Sequence, residues 1–340
     1  MAQSPEARLF TCVAGIYFFY LYYGVLQEKL YRPLPDGAKF QFTLFLLFVQ
    51  CFVNFAVAII AKWVISTFQR GSKSQEVELS KTAKSSPLKS LFGNHSGSVW
   101  VAFISFSYLS AMGCSNAALK YVSYPTQALG KSCKIIPVML ANVFIGGKRY
   151  SLREYFCVLL ITLGIIAFRL GKGSSLGEVS GSTWGWIFLF GSLCMDGITS
   201  SNQRLLADEF KPSTHNLMAY INLWSVLYLS VALLVTGEGS LGWSFCAEHP
   251  SVMRDLLSFS LCSAMGQNFI FYTVTGPGPL ACTTITTTRK FFTILASVLL
   301  YPDNKLLPAQ WGGVAFVFIG LGMELYGKYQ KRQAAKQKRA

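Results

Sequence analysis

The sequence predicts an all-α, polytopic membrane protein: ten transmembrane helices arranged as two inverted five-helix repeats. Three observations carry that expectation. The 340 residues are 52% hydrophobic and only 13% charged, about half the charged share of a soluble domain. Apolar runs of spanning length recur from one end of the chain to the other. The second half also repeats the first weakly: Lys134 aligns with Arg289, Leu140-Ala141 with Leu295-Ala296, Val143 with Val298, and Leu152 with Leu307.

Taken in order, the apolar runs lie at 9–30, 42–66, 99–119, 125–146, 153–171, 184–206, 215–236, 252–274, 279–300 and 308–327. At about 1.5 Å per residue, such runs cross a hydrocarbon core about 30 Å thick. The first run is too long for the apolar region of a signal peptide. It is followed by Gln27-Glu28-Lys29 rather than a small-residue cleavage site, so it is expected to be the first membrane helix. The longest polar stretch, 69–98, is rich in Ser and Lys and is expected to be mobile. Residues 172–183 are rich in Gly and Ser. They suggest a division into a first repeat at 1–172, a lumenal linker at 173–183, a second repeat at 184–328 and a basic tail at 329–340. Five is an odd number, so the second repeat must run inverted, a pattern of secondary transporters with midplane sites.

Loop cations set the orientation. Loop 69–98, the Lys148–Arg153 turn and the C-terminal tail carry most of them, and all fall on one side. Both termini are therefore expected in the cytosol. The sequon at Asn94 falls on that side and should stay unmodified.

The net charge of +15 does not point to nucleic acid. No basic stripe interleaved with aromatics stands clear of an apolar run. Of the nine cysteines, all but Cys246 lie in apolar stretches and none forms a CxxC pair, so they read as small buried hydrophobes. The histidines are far apart. No metal or other cofactor is expected.

Chemistry concentrates in two runs. In 279–300, Arg289 and Lys290 lie mid-span behind Thr283, Thr284, Thr286, Thr287 and Thr288. In 125–146, Lys131 and Lys134 are at i, i+3 and share one helix face. A cation at the bilayer centre costs about 2.5–3.5 kcal/mol or more, and usually faces a partner or an aqueous cavity. Depth argues against snorkelling. Glu28, Asp196 and Glu324 are too few to neutralise these cations. Lys131, Lys134, Arg289 and Lys290 therefore predict a site for a multiply charged anion.

Arg289 and Lys290 are about 100° apart on a helix, so one of them can point away from the site. Gly130-Lys131-Ser132 is not a phosphate-binding loop, because Pro125 stands where that motif needs glycine and no strand precedes it. Pro125 and Pro279 suit first helical turns, and Pro137 is expected to kink its helix. The threonines fit backbone bonding and cavity lining equally well. Gln127, Asn222, Gln267 and Asn268 fit either contact with a base or sugar, or a bond to another helix. Glu28 is a candidate gate or counter-ion for the empty site.

Three motifs resemble the nucleotide-sugar transporters of solute carrier family 35, in subfamily B. They are Gly24-Val-Leu-Gln-Glu-Lys29, the Asn116–Gln127 stretch leading into GKSCKIIPVM, and ITTTRKFFTILASV. The resemblance covers nearly the whole chain. It implies the ten-helix drug/metabolite transporter fold. It also implies exchange of nucleotide conjugates across the endoplasmic reticulum or Golgi membrane: ATP against ADP, or UDP-galactose and UDP-glucose against UMP. Lys336 and Lys338 resemble a dilysine retrieval signal read by a cytosolic coat; a basic tail beside a membrane also attracts anionic lipid. The expected partners are thus a nucleotide or nucleotide sugar, the lipid bilayer and a retrieval coat. A membrane-embedded glycosyltransferase is the rival reading, but it needs an acid/base pair or metal carboxylates near the cations.

Overall fold

The computed structural model describes residues 5–71, 95–133, 136, 139, 150–170, 178–210, 214–275 and 279–337. Among these residues there are eleven α-helices, one 3-10 turn at Pro302–Asn304, and no strand. The helices are α1 (Pro5–Tyr31), α2 (Thr43–Gly71), α3 (His95–Ala118), α4 (Tyr124–Ser132), α5 (Leu152–Leu170), α6 (Glu178–Phe210), α7 (Thr214–Thr236), α8 (Glu238–Glu248), α9 (Pro250–Thr275), α10 (Pro279–Leu300) and α11 (Pro308–Gln337). By length and hydropathy alone, Glu6–Tyr31, Thr43–Val64, Ser98–Ala118 and His215–Thr236 are sufficient to cross a membrane.

The helix starts follow local chemistry. Ser123 is the extended N-cap of α4, with Pro125 in the first turn, where a missing N–H costs nothing. At α5, Glu154 Oε2 accepts from both the N–H and the hydroxyl of Ser151, each at 2.9 Å. At α11, Gln310 Oε1 accepts from Leu307 N–H at 3.0 Å. Both are side chains reaching back to an otherwise unpaired cap donor.

Three elements depart from the expected pattern. Helix α8 lies in a stretch read as a loop; eleven residues are too short to span, and Gly239 and Gly242 weaken the helical signal. Helix α6 begins at Glu178, inside the expected linker 173–183. Helix α11 runs to Gln337, well past the expected end at 327, because the Gln, Lys and Ala residues of the tail favour helix. Lys331 Nζ in that extension pairs with Glu154 Oε1 at 2.7 Å. Pro137 and Asn94, and most of the 69–98 stretch, lie outside the described residues.

The chain forms two compact units, one of Met1–Tyr31, Cys114–Cys194 and Gly266–Ala340, the other of Arg32–Gly113 and Met195–Met265. In the first, α5 packs along α11 and α1 along α10, while α4 packs against α10. Leu129 and Cys133 meet Ile161 and Phe168 of α5, Ile294 of α10, and Val314 and Val317 of α11 in one buried cluster. In the second unit, α2 packs along α7. There Val101 and Ile104 of α3 meet Leu206, Tyr220 and Ile221. Helix α8 is docked in the second unit by the Glu238 carboxylate, which accepts from Leu44 N–H at 2.7 Å at the start of α2. Gly242 lies directly against the Phe45 ring, with room for no Cβ between them. The outward surface is apolar: Phe10, Phe18, Leu170, Leu234 and Leu299 are all largely exposed, as a bilayer requires.

Candidate anion site

The candidate residues of α1, α4 and α10 lie in the first unit, where α10 runs beside α1 and α4. Arg289, on α10, turns towards α1. Its Cζ lies 4.8 Å from the centre of the Tyr20 ring, and Nη1 points at the Tyr20 carbonyl oxygen at 3.4 Å. Its Nε–H is buried and has no hydrogen-bond partner in the protein. A buried guanidinium donor left unpaired is costly, and an anion oxygen is one acceptor that would satisfy it.

Lys290, the next residue, turns the other way. Its ammonium donates to the Lys131 carbonyl oxygen at 3.0 Å. That carbonyl is in the last turn of α4, and Cys133 is the cap residue. Helix C-termini expose unpaired carbonyls and a partial negative charge, which a cation offsets. Lys131 itself is half-buried. Lys134 lies outside the described residues.

Glu28 is buried at the end of α1. Ser297 Oγ donates to its Oε2 at 2.6 Å, and Asn304 Nδ2 donates to its Oε1. Asn304 also donates to Ser297 Oγ at 2.8 Å. The carboxylate thus fastens the end of α1 to the end of α10 and the 3-10 turn. One turn earlier, Gly24 admits the Tyr124 hydroxyl: a Cβ there would stand 2.5 Å from that oxygen and 3.1 Å from Thr293. This glycine is where α1, α4 and α10 come together.

The other residues singled out from sequence have mixed placements. Gln127 is buried, and its amide donates to the Ser115 carbonyl at 2.6 Å and the Ser115 hydroxyl at 3.1 Å. It ties α4 to the end of α3. Gln267 Oε1 is buried without a protein partner; it follows Gly266, which packs on Tyr20. Asn222 belongs to the second unit; its amide donates to Met218 of its own helix at 2.8 Å, and its Oδ1 has no partner. Of the threonines, Thr286 and Thr288 donate to carbonyls of α10. Thr288 also accepts from the Tyr17 hydroxyl at 2.8 Å. Lys336 lies in the last turn of α11, and Lys338 is outside the described residues. Among the described residues no cluster of His, Cys, Asp or Glu could hold a metal ion.

Sequence reasoning missed Tyr20, Tyr124, Ser297 and Asn304. With 16 tyrosines in the chain, composition could not single out two. Asn304 sits in a turn, and its link to Glu28 exists only once α1 and α10 pack.

The profile of the UAA transporter family matches residues 8–328. The chain belongs to the UAA transporter family. It is 43% identical over 337 residues to solute carrier family 35 member B1 of Xenopus tropicalis, covering 97% of each chain. It is 42% identical over 332 residues to the Bos taurus protein of that name, covering 96% of this chain and 95% of that one. The Dictyostelium discoideum protein of the same name is 36% identical, with 97% and 79% covered. A solved crystal structure with 14% sequence identity covers 94% of this chain and 98% of its own, with a TM-score of 0.53; this likeness is one of fold. This UAA family member is thus a multi-pass membrane transporter of the nucleotide-sugar transporter class.

Proposed function

We propose that the protein is a nucleotide antiporter of the endoplasmic reticulum membrane that exchanges ATP and ADP between cytosol and lumen. Lys131, Lys134, Arg289 and Lys290 hold the phosphates. The observation that carries this reading is the buried, unpaired Nε–H of Arg289, fixed beside Tyr20 in a membrane helix. Buried donors are usually hydrogen-bonded, and a bound anion would supply the partner that this one lacks in the protein. Motif resemblance to solute carrier family 35 points to a nucleotide as the anion, and the family match supports transport rather than glycosyl transfer.

The mechanism is alternating access by two inverted five-helix repeats, 1–172 and 184–328. Two pairings support this: α2 with α7, and α5 with α11. Each joins the second or the fifth span of one half to its counterpart in the other, as a two-fold axis in the membrane plane requires. An empty site holding several cations in low dielectric is unfavourable. It therefore resists crossing without an anion, which gives exchange rather than leak. Both termini face the cytosol, and Lys336 and Lys338 return the protein to the endoplasmic reticulum.

Counterflow into proteoliposomes loaded with ATP, ADP, UDP-galactose or UMP tests the reading. ATP uptake should need internal ADP or ATP. A UDP-galactose/UMP pair that exchanges in its place would move the substrate to nucleotide sugars. Losing a charge-assisted contact costs about 1.5–3 kcal/mol, about ten- to a hundred-fold in binding. Arg289→Ala and Lys134→Ala should each lose exchange by that factor while expressing normally, since removing a membrane cation lowers insertion cost. Full exchange by both variants would make the cations structural.

A further inference from the structure

We infer that Tyr20 is a positioning residue: it orients the Arg289 guanidinium for the anion, and Gly266 is the position that makes this possible. The inference rests on the proposed phosphate role of Arg289. Arginine has four rotatable side-chain bonds, and an unrestrained one must be ordered when an anion binds. Here the guanidinium is already placed. The Tyr20 ring lies under its carbon at 4.8 Å, and the Tyr20 carbonyl faces Nη1 at 3.4 Å. Attraction between a cation and a ring face is strengthened by the loss of water around both. The restraint leaves Nε–H unspent, so orientation is supplied without consuming that donor.

The ring is itself confined by α9. A Cβ on Gly266 would stand 2.7, 2.9 and 3.0 Å from Cε2, Cδ2 and Cζ of Tyr20. Only glycine lets α9 approach the ring this closely. Tyr20 therefore has the Gly266 backbone against one part of its surface and the guanidinium against its face. It is engaged by protein, which sets it apart from an aromatic kept open to stack on a nucleobase. Ring and carbonyl come from one residue, so α1 delivers both contacts together. The ring contact is lost by removing the aromatic side chain, whereas the carbonyl survives any substitution.

The consequence is a defined loss of affinity. Ordering a free arginine on binding costs about 0.5–1.5 kcal/mol, which is about a two- to twelve-fold weakening. Tyr20→Leu should weaken ATP binding by that factor. Tyr20→Phe keeps the ring and should bind within about two-fold of the parent. Gly266→Ala pushes the ring and should resemble Tyr20→Leu.

The test is a double-mutant cycle on the purified full chain, read by competition with labelled ATP up to millimolar concentrations, with ADP and UDP-galactose as further probes. In the parent, Tyr20→Leu should weaken binding by about two- to twelve-fold; in an Arg289→Ala background it should change binding by less than two-fold, because coupled residues are not additive. Equal weakening in both backgrounds would mean that Tyr20 acts on the ligand or the fold, and would overturn the inference. So would unchanged binding by Tyr20→Leu alongside loss by Arg289→Ala. Full binding by Arg289→Ala, or no binding of any probe by the parent, would instead remove the phosphate reading on which the inference rests. Tyr20→Met, of similar volume, replaces the leucine variant if that one does not fold. Failure of Tyr20→Phe to bind while Tyr20→Leu binds would also overturn the inference.

Discussion

The crossing of α5 and α11 offers a sharp test of the packing beneath the site. A Cβ added at Gly164 would stand 2.7 Å from the Gly313 carbonyl oxygen and 2.9 Å from Val317 N. A Cβ at Gly313 would stand 2.6 Å from both the Gly164 oxygen and Phe168 N. Ordinary contact begins near 3.4 Å, so either methyl needs the helices to part by about 0.7 Å. Most of the obstructing atoms are backbone, and no rotamer change moves them aside. Inside a bilayer, where apolar surface gains little from leaving lipid, such small-residue crossings supply much of the helix association. Overpacking costs about 1–3 kcal/mol, which for a chain of this size lowers Tm by about 2–10 °C. Gly312 provides the control: its Cβ would meet nothing within 4 Å, and alanine there favours the helix by up to about 1 kcal/mol. Thermal melts of the detergent-purified protein should show Gly164→Ala and Gly313→Ala melting low and Gly312→Ala melting at or above the parent. Because both methyls fill one gap, the double variant should lose less than the sum of the two. Parent-like melting of both crossing variants would refute the close approach. So would an equal drop at Gly312.

Three further outcomes are expected. In the loop outside the membrane, His249 Nε2 meets Asp36 Oδ2 at 2.8 Å; the Asp36 hydrogen bond raises the His249 pKa above its ordinary 6.5, and the same bond lowers that of Asp36 below 3.8. The histidine's share of stability is therefore full below pH 6.5 and fades as pH rises through its raised value, whereas the aspartate's share is lost only as pH falls below 3.8. The His249 ring titration, followed by NMR, should have a midpoint above 6.5 that falls back towards it in Asp36→Asn; an unmoved midpoint would sever the link. Glu28→Leu strands the Ser297 and Asn304 donors, and should destabilise the protein by about 1–3 kcal/mol in melts, with Glu28→Gln losing less; parent-like melting of Glu28→Leu would show that the carboxylate fastens nothing. Changing Lys336 and Lys338 to Ser should let the protein reach the Golgi, seen by microscopy, while Asn94 stays unglycosylated; a glycan on Asn94 would invert the topology.

Much of the helix placement was legible because membrane spans write a strong signal: length and apolarity suffice, and α1, α2, α3 and α7 follow it. The cations of α10 were legible for the opposite reason, since they break that signal at mid-span. What could not be read were contacts made across elements. Gln127 fitted either a base or sugar contact or a bond to another helix; its amide goes to Ser115, a partner that nothing in the local sequence indicates. Tyr20 is hidden among many tyrosines, and only the fold brings Gly266 and Arg289 against its ring. Helix α8 escaped because a short, glycine-containing helix held by Glu238 depends on its docking partner rather than on its own propensity.

Arg289 and Lys290 show why charge at depth needs geometry before it is given a role. Sequence placed both in one anion site, with the proviso that about 100° separates neighbours on a helix. The structure sends Arg289 to the Tyr20 ring and Lys290 to the Lys131 carbonyl. Lys290 therefore already offsets a helix end, whereas Arg289 keeps an unspent donor. A lysine ammonium is a compact charge on a flexible stem, whereas a guanidinium binds through fixed edges and must be aimed beforehand. In the proposed function the pair divides the task. Lys290 links the end of α4, and with it Lys131, to α10, and Arg289 presents a directed edge held by α1. A phosphate held as proposed would touch Arg289 and Lys290 of α10 and Lys131 of α4, and would reach α1 through the contact of Arg289 with Tyr20. That is the coupling the proposed exchange needs between cargo and helices.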